Sequence, residues 1–320
     1  MSNGYHIAGR RPLIELRRLH RYFGATRAVE DMSFEVYASE VFGYIGPNGA
    51  GKTTSMRILA TLDEPTAGDA IVDGFSVIDD PDRVRRRLGF MPDYFGTYQN
   101  VNVREYLDFF ARAYGLRGAE RRRSVDAVME FTQLDRLAEK PIDGLSKGMK
   151  QRLCLGRTMI HDPAVLILDE PAAGLDPRAR IELREMIAEL ARMGKAVLIS
   201  SHILTELAEI CDKVAIIETG QLLAVGTVDE ISAKSEPVSR VRLRTLGDHA
   251  PLLQWLERRD DIRDVTVDSG LVTFTHDGGR EEQSVLLRQI VEAGFDLLEF
   301  ASKTKSLEDV FLHVTEGRVQ

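Results

Sequence analysis

The chain has 320 residues, with 42 Lys plus Arg against 50 Asp plus Glu and a formal charge of −8; 43% of it is apolar and 29% charged. This is an ordinary globular mixture, long enough for two domains, and its acidic balance speaks against a nucleic-acid coat protein. Cys154 and Cys211 do not make a disulfide framework, no apolar run approaches the ~20 residues of a membrane span, and the arginine-rich start holds no apolar signal segment. The expectation is a cytoplasmic protein.

Residues 1–12 read as a loose polar tail, and 13–234 as one α/β domain. Ser33–Val36 and Val41–Ile45 are expected strands, followed by a helix at Thr53–Ala60 and a strand at Leu88–Met91. From about 97 to 160 the pattern is helical. Val103–Tyr114 brings Tyr106, Leu107, Phe110 and Tyr114 near one face, and a second periodic segment runs from Ser146 to Ile160. Val165–Asp169 and Ala196–Ser200 are short apolar runs of the kind buried in parallel sheets. Pro171–Pro177 reads as a loop, and Arg178–Arg192 as a helix closed by Gly194. Near Ser235-Glu236-Pro237 the pattern changes, which marks a linker. Residues 238–316 then read strand, helix, strand, strand, helix, strand, with a last helix at Ser306–Thr315. That βαββαβ order implies a small α+β, ferredoxin-like accessory domain. Its acidic residues outnumber its basic ones, so no nucleic-acid partner is expected.

The sharpest motif is Gly46-Pro47-Asn48-Gly49-Ala50-Gly51-Lys52-Thr53, with Thr54 next. It fits G-x-x-x-x-G-K-[ST] between an apolar strand and a helix. The glycines let several backbone N–H groups converge on one anion. Lys52 reaches the terminal phosphates, Thr53 offers its hydroxyl to Mg²⁺, and the helix points its positive end at the phosphates. Downstream, Asp169 ends an apolar strand, where a Mg²⁺ ligand belongs in such a fold, and Glu170 is placed to polarise a water. Alone, this pair is equally an acidic strand end before Pro171.

Further landmarks follow in order: Leu145-Ser146-Lys147-Gly148-Met149, Ala173-Gly174-Leu175-Asp176, and Ser200-Ser201-His202. With both phosphate-site motifs they make the chain resemble the ATP-binding-cassette (ABC) ATPases from about Leu13 to Ser232. The resemblance implies a P-loop fold with an inserted helical subdomain, ATP and Mg²⁺ as cofactors, and hydrolysis by Lys52, Glu170 and His202. It makes 145–149 the signature, which meets the γ-phosphate of a second copy in a head-to-tail dimer, and puts Asp176 in the D-loop. It also places Tyr22, in Arg21-Tyr22-Phe23-Gly24, where the family stacks an aromatic on adenine. Without the family name, Ser146 is a plain helix N-cap and His202 a structural histidine.

Two departures stand out. Asp93 falls where the family has its Q-loop glutamine, as a third Mg²⁺-side group or as a turn cap before Tyr94 and Phe95. Lys147 and Met149 replace a glycine and a glutamine of the signature. Met91-Pro92-Asp93, Lys147-Gly148-Met149 and Ser306-Leu307-Glu308-Asp309-Val310-Phe311 together resemble ATPase subunits of ABC-2-type exporters of drugs or sodium. Such subunits work with a separate integral-membrane permease at the inner face of the cell membrane. The aromatic stripe of 103–134 is where they receive a permease helix, or else ordinary core. The alternatives are an importer ATPase, whose C-terminal domain resembles a β-barrel, and a non-transport ABC factor of translation or repair. A single P-loop pattern and the lack of sustained heptads disfavour the latter.

Overall fold

The protein is described by a computed structural model, which covers residues 11–94, 96, 100–203, 207, 209–227, 230–231, 239–247, 249–268 and 270–303. The chain divides into two compact units, Met1–Val225 and Gly226–Gln320. The linker expected at 235–237, most of the N-terminal tail and the helix expected at 306–315 lie outside the described residues.

In the first unit, β1 (Ile14–Phe23) and β2 (Thr26–Val36) form an antiparallel pair. After β3 (Val41–Ile45) and α1 (Lys52–Leu59) come β4 (Ala67–Val72), β5 (Phe75–Ser76), α2 (Pro81–Arg87) and β6 (Leu88–Met91). The helical segment holds α3 (Val103–Ala113), α4 (Gly118–Phe131) and α5 (Lys147–Met159). The unit continues with β7 (Val165–Leu168), α6 (Pro177–Arg192), β8 (Ala196–Ser201) and β9 (Lys213–Glu218), and β10 (Gln221–Gly226) follows.

The helices start where the chain supplies caps. Asn102 and Glu105 form a reciprocal capping box on α3, Ser146 caps α5, and Asp176 with Pro177 at the first position opens α6. α3 packs on α4 and α5. At Gly156 of α5 a Cβ would stand 2.9 Å from Val128 Cγ1 of α4, so glycine lets these two helices approach.

Two sheets make the frame. One is antiparallel, in the order β2-β1-β4-β5. Sequence reading finds only Ser33–Val36 of it, because register shifts break the alternation of β1 at Leu16/Leu19, Leu19/Arg21 and Arg21/Tyr22. The other sheet has the order β10-β9-β3-β8-β7-β6, with β3–β8, β3–β9, β6–β7 and β7–β8 all parallel. Every residue of β3 and β7 is buried, as a parallel sheet covered on both faces requires. Consequently the segments that leave β3, β6, β7 and β8 emerge at one edge. Ile45 is level with Ser201, and Leu168 with both Ile199 and Met91.

The second unit carries β11 (Ser239–Thr245), α7 (Ala250–Glu257), β12 (Ile262–Asp268), β13 (Leu271–His276), α8 (Arg280–Glu292) and β14 (Leu297–Lys303). Its antiparallel sheet runs β12-β13-β11-β14. Val241, Leu243, Val272 and Phe274 of the sheet bury themselves with Leu252, Leu256, Leu286 and Ile290 of the two helices.

Candidate functional site

The loop between β3 and α1 is pinched between its neighbours. A Cβ at Gly46 would lie 2.5 Å from the Ile217 carbonyl oxygen, and one at Gly51 would lie 2.3 Å from that of Ala28. Gly51 also has φ 102, so both steric and backbone demands select glycine. Pro47, Asn48 and Gly49 are exposed at the loop tip, whereas Ala50 and Lys52 are buried and Thr54 is half-buried. No side chain caps α1, and its first turn holds no acidic residue, so its N–H groups and dipole are available to an anion.

Lys52 is 6% exposed. Its Nζ donates to the carbonyls of Gly46 at 2.5 Å and Pro47 at 3.2 Å, and Glu170 Oε1 is 3.9 Å away. Burial pushes the ammonium below its ordinary pKa, against the opposing pull of Glu170 and Asp169. A polyanion brought into the loop would favour the charged form, so phosphate and Lys52 each stabilise the other.

Asp169, 1% exposed, follows β7 and uses both oxygens. Oδ2 accepts from the Thr53 hydroxyl at 2.8 Å and Oδ1 from the Ser200 hydroxyl at 2.5 Å. Its own N–H donates to Met91 O. Glu170 has φ 48, a left-handed conformation that costs a non-glycine residue about 1–2 kcal/mol. Its carboxylate Oε2 is 2.8 Å from His202 Nδ1. A carboxylate only accepts, so Nδ1 carries the proton of that bond and the ring orientation is set.

Thr53 and Asp169 are hard oxygen donors facing each other beside an anion-binding loop. Among the described residues no cluster of three or more His, Cys, Asp or Glu forms an all-protein cage. A donor set of one hydroxyl and one carboxylate fits Mg²⁺ shared with phosphates, which keeps few protein ligands.

Among the described residues, no hydrogen bond or ion pair joins the other sequence-derived residues to this cluster. Leu145 is buried; Ser146 and Lys147 are exposed and Gly148 and Met149 half-buried at the start of α5. Ser146 Oγ accepts from Met149 N at 3.3 Å, which makes it a cap. No hydrogen bond or ion pair among the described residues joins 145–149 to 46–54. Asp176 is exposed and caps α6 by accepting from Ala179 N at 2.9 Å. Asp93 is exposed just beyond β6, and no hydrogen bond to it is seen among the described residues, neither of a turn cap nor of a ligand. Of the aromatic stripe, Tyr106 is buried whereas Phe109 and Tyr114 are exposed, so the face is part core and part surface.

The Tyr22 hydroxyl donates to His20 Nδ1 at 2.9 Å, and its ring is half-buried. The open aromatic at this turn is its neighbour Phe23, 48% exposed, with the Arg21 guanidinium 4.4 Å from the ring centroid. Sequence reading also assigns no role to Ser200, which bonds the cluster, or to Gln151, which bonds the residue after it. Gln151 on α5 donates Nε2 to Pro171 O at 2.6 Å. A serine in place of an apolar residue near the end of a buried strand was the available signal for Ser200.

Residues 29–173 match the protein family described as ABC transporter. The Nod factor export ATP-binding protein I of Ralstonia nicotianae is 32% identical over 308 residues, across 96% of this chain and 95% of that protein. The bacitracin transport ATP-binding protein of Bacillus licheniformis is 32% identical over 95% of this chain and 98% of its own length. Among solved structures, an ATP-binding subunit of an ABC transporter superposes with a TM-score of 0.64 at 33% identity, covering 69% of this chain and 92% of its own.

Proposed function

The chain belongs to the ABC transporter family as an ATP-binding ATPase subunit, and from that premise we propose that it powers an export complex of the ABC-2 type. Two copies close head to tail around ATP, and the closure drives a separate membrane permease that holds the ATPase at the inner face of the cell membrane. No helix among the described residues is long and apolar enough to cross a membrane, and this reading gives the membrane path to the permease. The relatives named for Nod factor export and bacitracin transport match along nearly the whole chain, so the similarity extends into the second unit. Their different cargoes fit a division of labour in which the permease selects what is moved.

One observation carries the reading. The pairs Thr53–Asp169 and Glu170–His202 meet beside an uncapped glycine-rich loop that already holds a buried ammonium. In the mechanism this supports, the N–H groups of 46–54 and Lys52 bind the phosphates. Thr53 and Asp169 would hold Mg²⁺, which supplies Lewis-acid polarisation of the phosphate oxygens when bound. Glu170 accepts the proton of the attacking water, and His202 holds the Glu170 carboxylate through Nδ1–H; in the imidazolium form its Nε2–H can also donate to the γ-phosphate. Ser146, Lys147 and Gly148 complete the site in the second copy.

Glu170→Gln tests this directly. The amide accepts no proton, so kcat is expected to fall by about 10²–10⁴-fold with ATP binding retained. Size-exclusion chromatography should then show a dimer only when ATP is present. Undiminished hydrolysis by this variant would remove Glu170 as the base.

A further inference from the structure

Ser200, the penultimate residue of β8, is fully buried. Its hydroxyl donates to Asp169 Oδ1 at 2.5 Å and accepts the Glu170 N–H at 2.9 Å. We propose that Ser200 is a positioning residue for hydrolysis, whose single hydroxyl ties the metal-side carboxylate of Asp169 to the backbone of the base, Glu170. The proposal rests on the roles given above to Asp169 and Glu170.

The register of the sheet makes the contact unavoidable. Leu168 is paired with Ile199, so the next residue on each strand, Asp169 and Ser200, stand side by side. Asp169 divides its oxygens between two hydroxyls, Thr53 on the loop side and Ser200 on the strand side. The Ser200 bond fixes rotation of the carboxylate and leaves Oδ2 aimed at Thr53, the side on which a cation would sit. The same oxygen of Ser200 receives the N–H of a residue held at φ 48. Left-handed backbone at a non-glycine persists only where its surroundings over-determine it. Here three bonds do so: Ser200 takes the N–H before the side chain, Gln151 (7% exposed) holds the Pro171 carbonyl after it, and His202 holds the carboxylate.

Removing the hydroxyl leaves the Glu170 N–H and Asp169 Oδ1 without that partner in a closed setting, where unsatisfied polar groups are costly. The turn then relaxes, and the Glu170 carboxylate and the Asp169 oxygens move together. If Ser200 merely fills space in a buried strand, alanine serves equally well.

The test compares Ser200→Ala with the wild type in full-length protein. The measurements are kcat, ATP affinity without divalent metal, the Mg²⁺ concentration for half-maximal ATPase, and the thermal midpoint. Ser200→Ala is expected to lower kcat by about ten- to a hundredfold, as a displacement on the order of 1 Å does. It should raise the half-saturating Mg²⁺ several-fold and leave metal-free ATP affinity unchanged. A readout free of turnover comes from Ser200→Ala combined with Glu170→Gln, in which Mg²⁺ should tighten the binding of a fluorescent ATP analogue less than in Glu170→Gln alone. Should Ser200→Ala fold poorly, Ser200→Cys keeps the volume with a weak donor and acceptor and is read in its place. Wild-type kcat and an overlaying Mg²⁺ curve overturn the proposal, as does a loss that tracks only the folded fraction. Glu170→Gln alone is the control: if it still hydrolyses ATP, the underlying reading fails. If it is inactive while Ser200→Ala is normal, only the role of Ser200 falls.

Discussion

Around the phosphate loop, Lys52, Asp169, Glu170 and Ser200 are bonded to one another or to the backbone, and Lys52, Asp169 and Ser200 are buried. At the start of α5 the reverse holds, since Ser146 and Lys147 are exposed and the cap bond seen there among the described residues is the local one to Met149. Lys147 and Lys150 lie in the first turn, and no acidic residue does. Two ammonium groups at the positive end of a helix oppose the usual preference, by about 0.3–1 kcal/mol each at an exposed site. The first region is preassembled by the sheet, and its bonds are set when the chain folds. The second makes a local cap, and on the proposal above it awaits an anion. The head-to-tail reading supplies that anion as the γ-phosphate held by another copy.

The largest expected effect falls on the preassembled side. Lys52→Ala removes a charge-assisted phosphate contact of about 1.5–3 kcal/mol, so ATP affinity should drop by roughly ten- to a hundredfold, with turnover lost as well. Equilibrium binding of a fluorescent nucleotide measures it; affinity equal to the wild type would separate Lys52 from the phosphates.

The signature side is expected to respond with opposite signs in two measurements. Lys147→Glu puts an acid in the first turn of α5, which should raise the thermal midpoint slightly. On the proposed head-to-tail dimer the same charge meets the partner's phosphate, so ATPase activity should fall about tenfold and the ATP-dependent dimer weaken, while single-chain ATP affinity stays put. The Lys147 ammonium also fills the space beside Gly174, where a Cβ would stand 2.2 Å from Nζ. Lys147→Met, which keeps most of that volume without charge, separates packing from electrostatics. A fall in dimer and midpoint together would make this turn structural and erase the contrast.

How much of this the sequence disclosed follows the same division. Gly46 to Thr53, Asp169 and Glu170 were legible because a strand, a glycine turn and a helix must occur in that order for the chemistry to work. The antiparallel sheet of β1, β2, β4 and β5 was largely hidden, since bulges and the positive φ of Arg18 interrupt its period of two. The roles of Ser200 and Gln151 were hard to read for another reason, the one signal being a serine near the end of an apolar strand. They act through register and through a helix docking onto a loop, and neither relation leaves a spacing in the chain. Tyr22 and Phe23 stand side by side in the sequence, and only burial tells them apart.

That last pair gives a smaller test. If an aromatic at this turn stacks on adenine, the exposed Phe23 is better placed than Tyr22, whose hydroxyl is held by His20. Stacking of this kind contributes about 0.5–1.5 kcal/mol beyond buried area. Phe23→Ala should therefore raise KM for ATP by roughly three- to tenfold with kcat little changed, and Tyr22→Phe should leave KM alone. The reverse pattern would return the role to Tyr22.

Asp93 is expected to show the smallest effect, and it marks where the preassembled half ends. β6 runs parallel to β7 with Met91 level with Leu168, and Asp93 follows two residues after that pairing ends, as Glu170 does on the neighbouring strand. Unlike Glu170 it is exposed, and no partner for its side chain is seen among the described residues. A role towards Mg²⁺ then works across water. A unit charge acting on a divalent cation through ~7 Å of water contributes about 1 kcal/mol, and physiological salt screens roughly half of that. Asp93→Asn removes the charge at nearly constant shape, so the Mg²⁺ concentration for half-maximal ATPase should rise about twofold, with kcat at saturating Mg²⁺ unchanged. A change of tenfold or more would mean that Asp93 joins Thr53 and Asp169 as a direct ligand after the loop moves. If the two Mg²⁺ titrations overlay, Asp93 has no part in the metal site, and the preassembled half stops at the strands that hold Asp169 and Ser200.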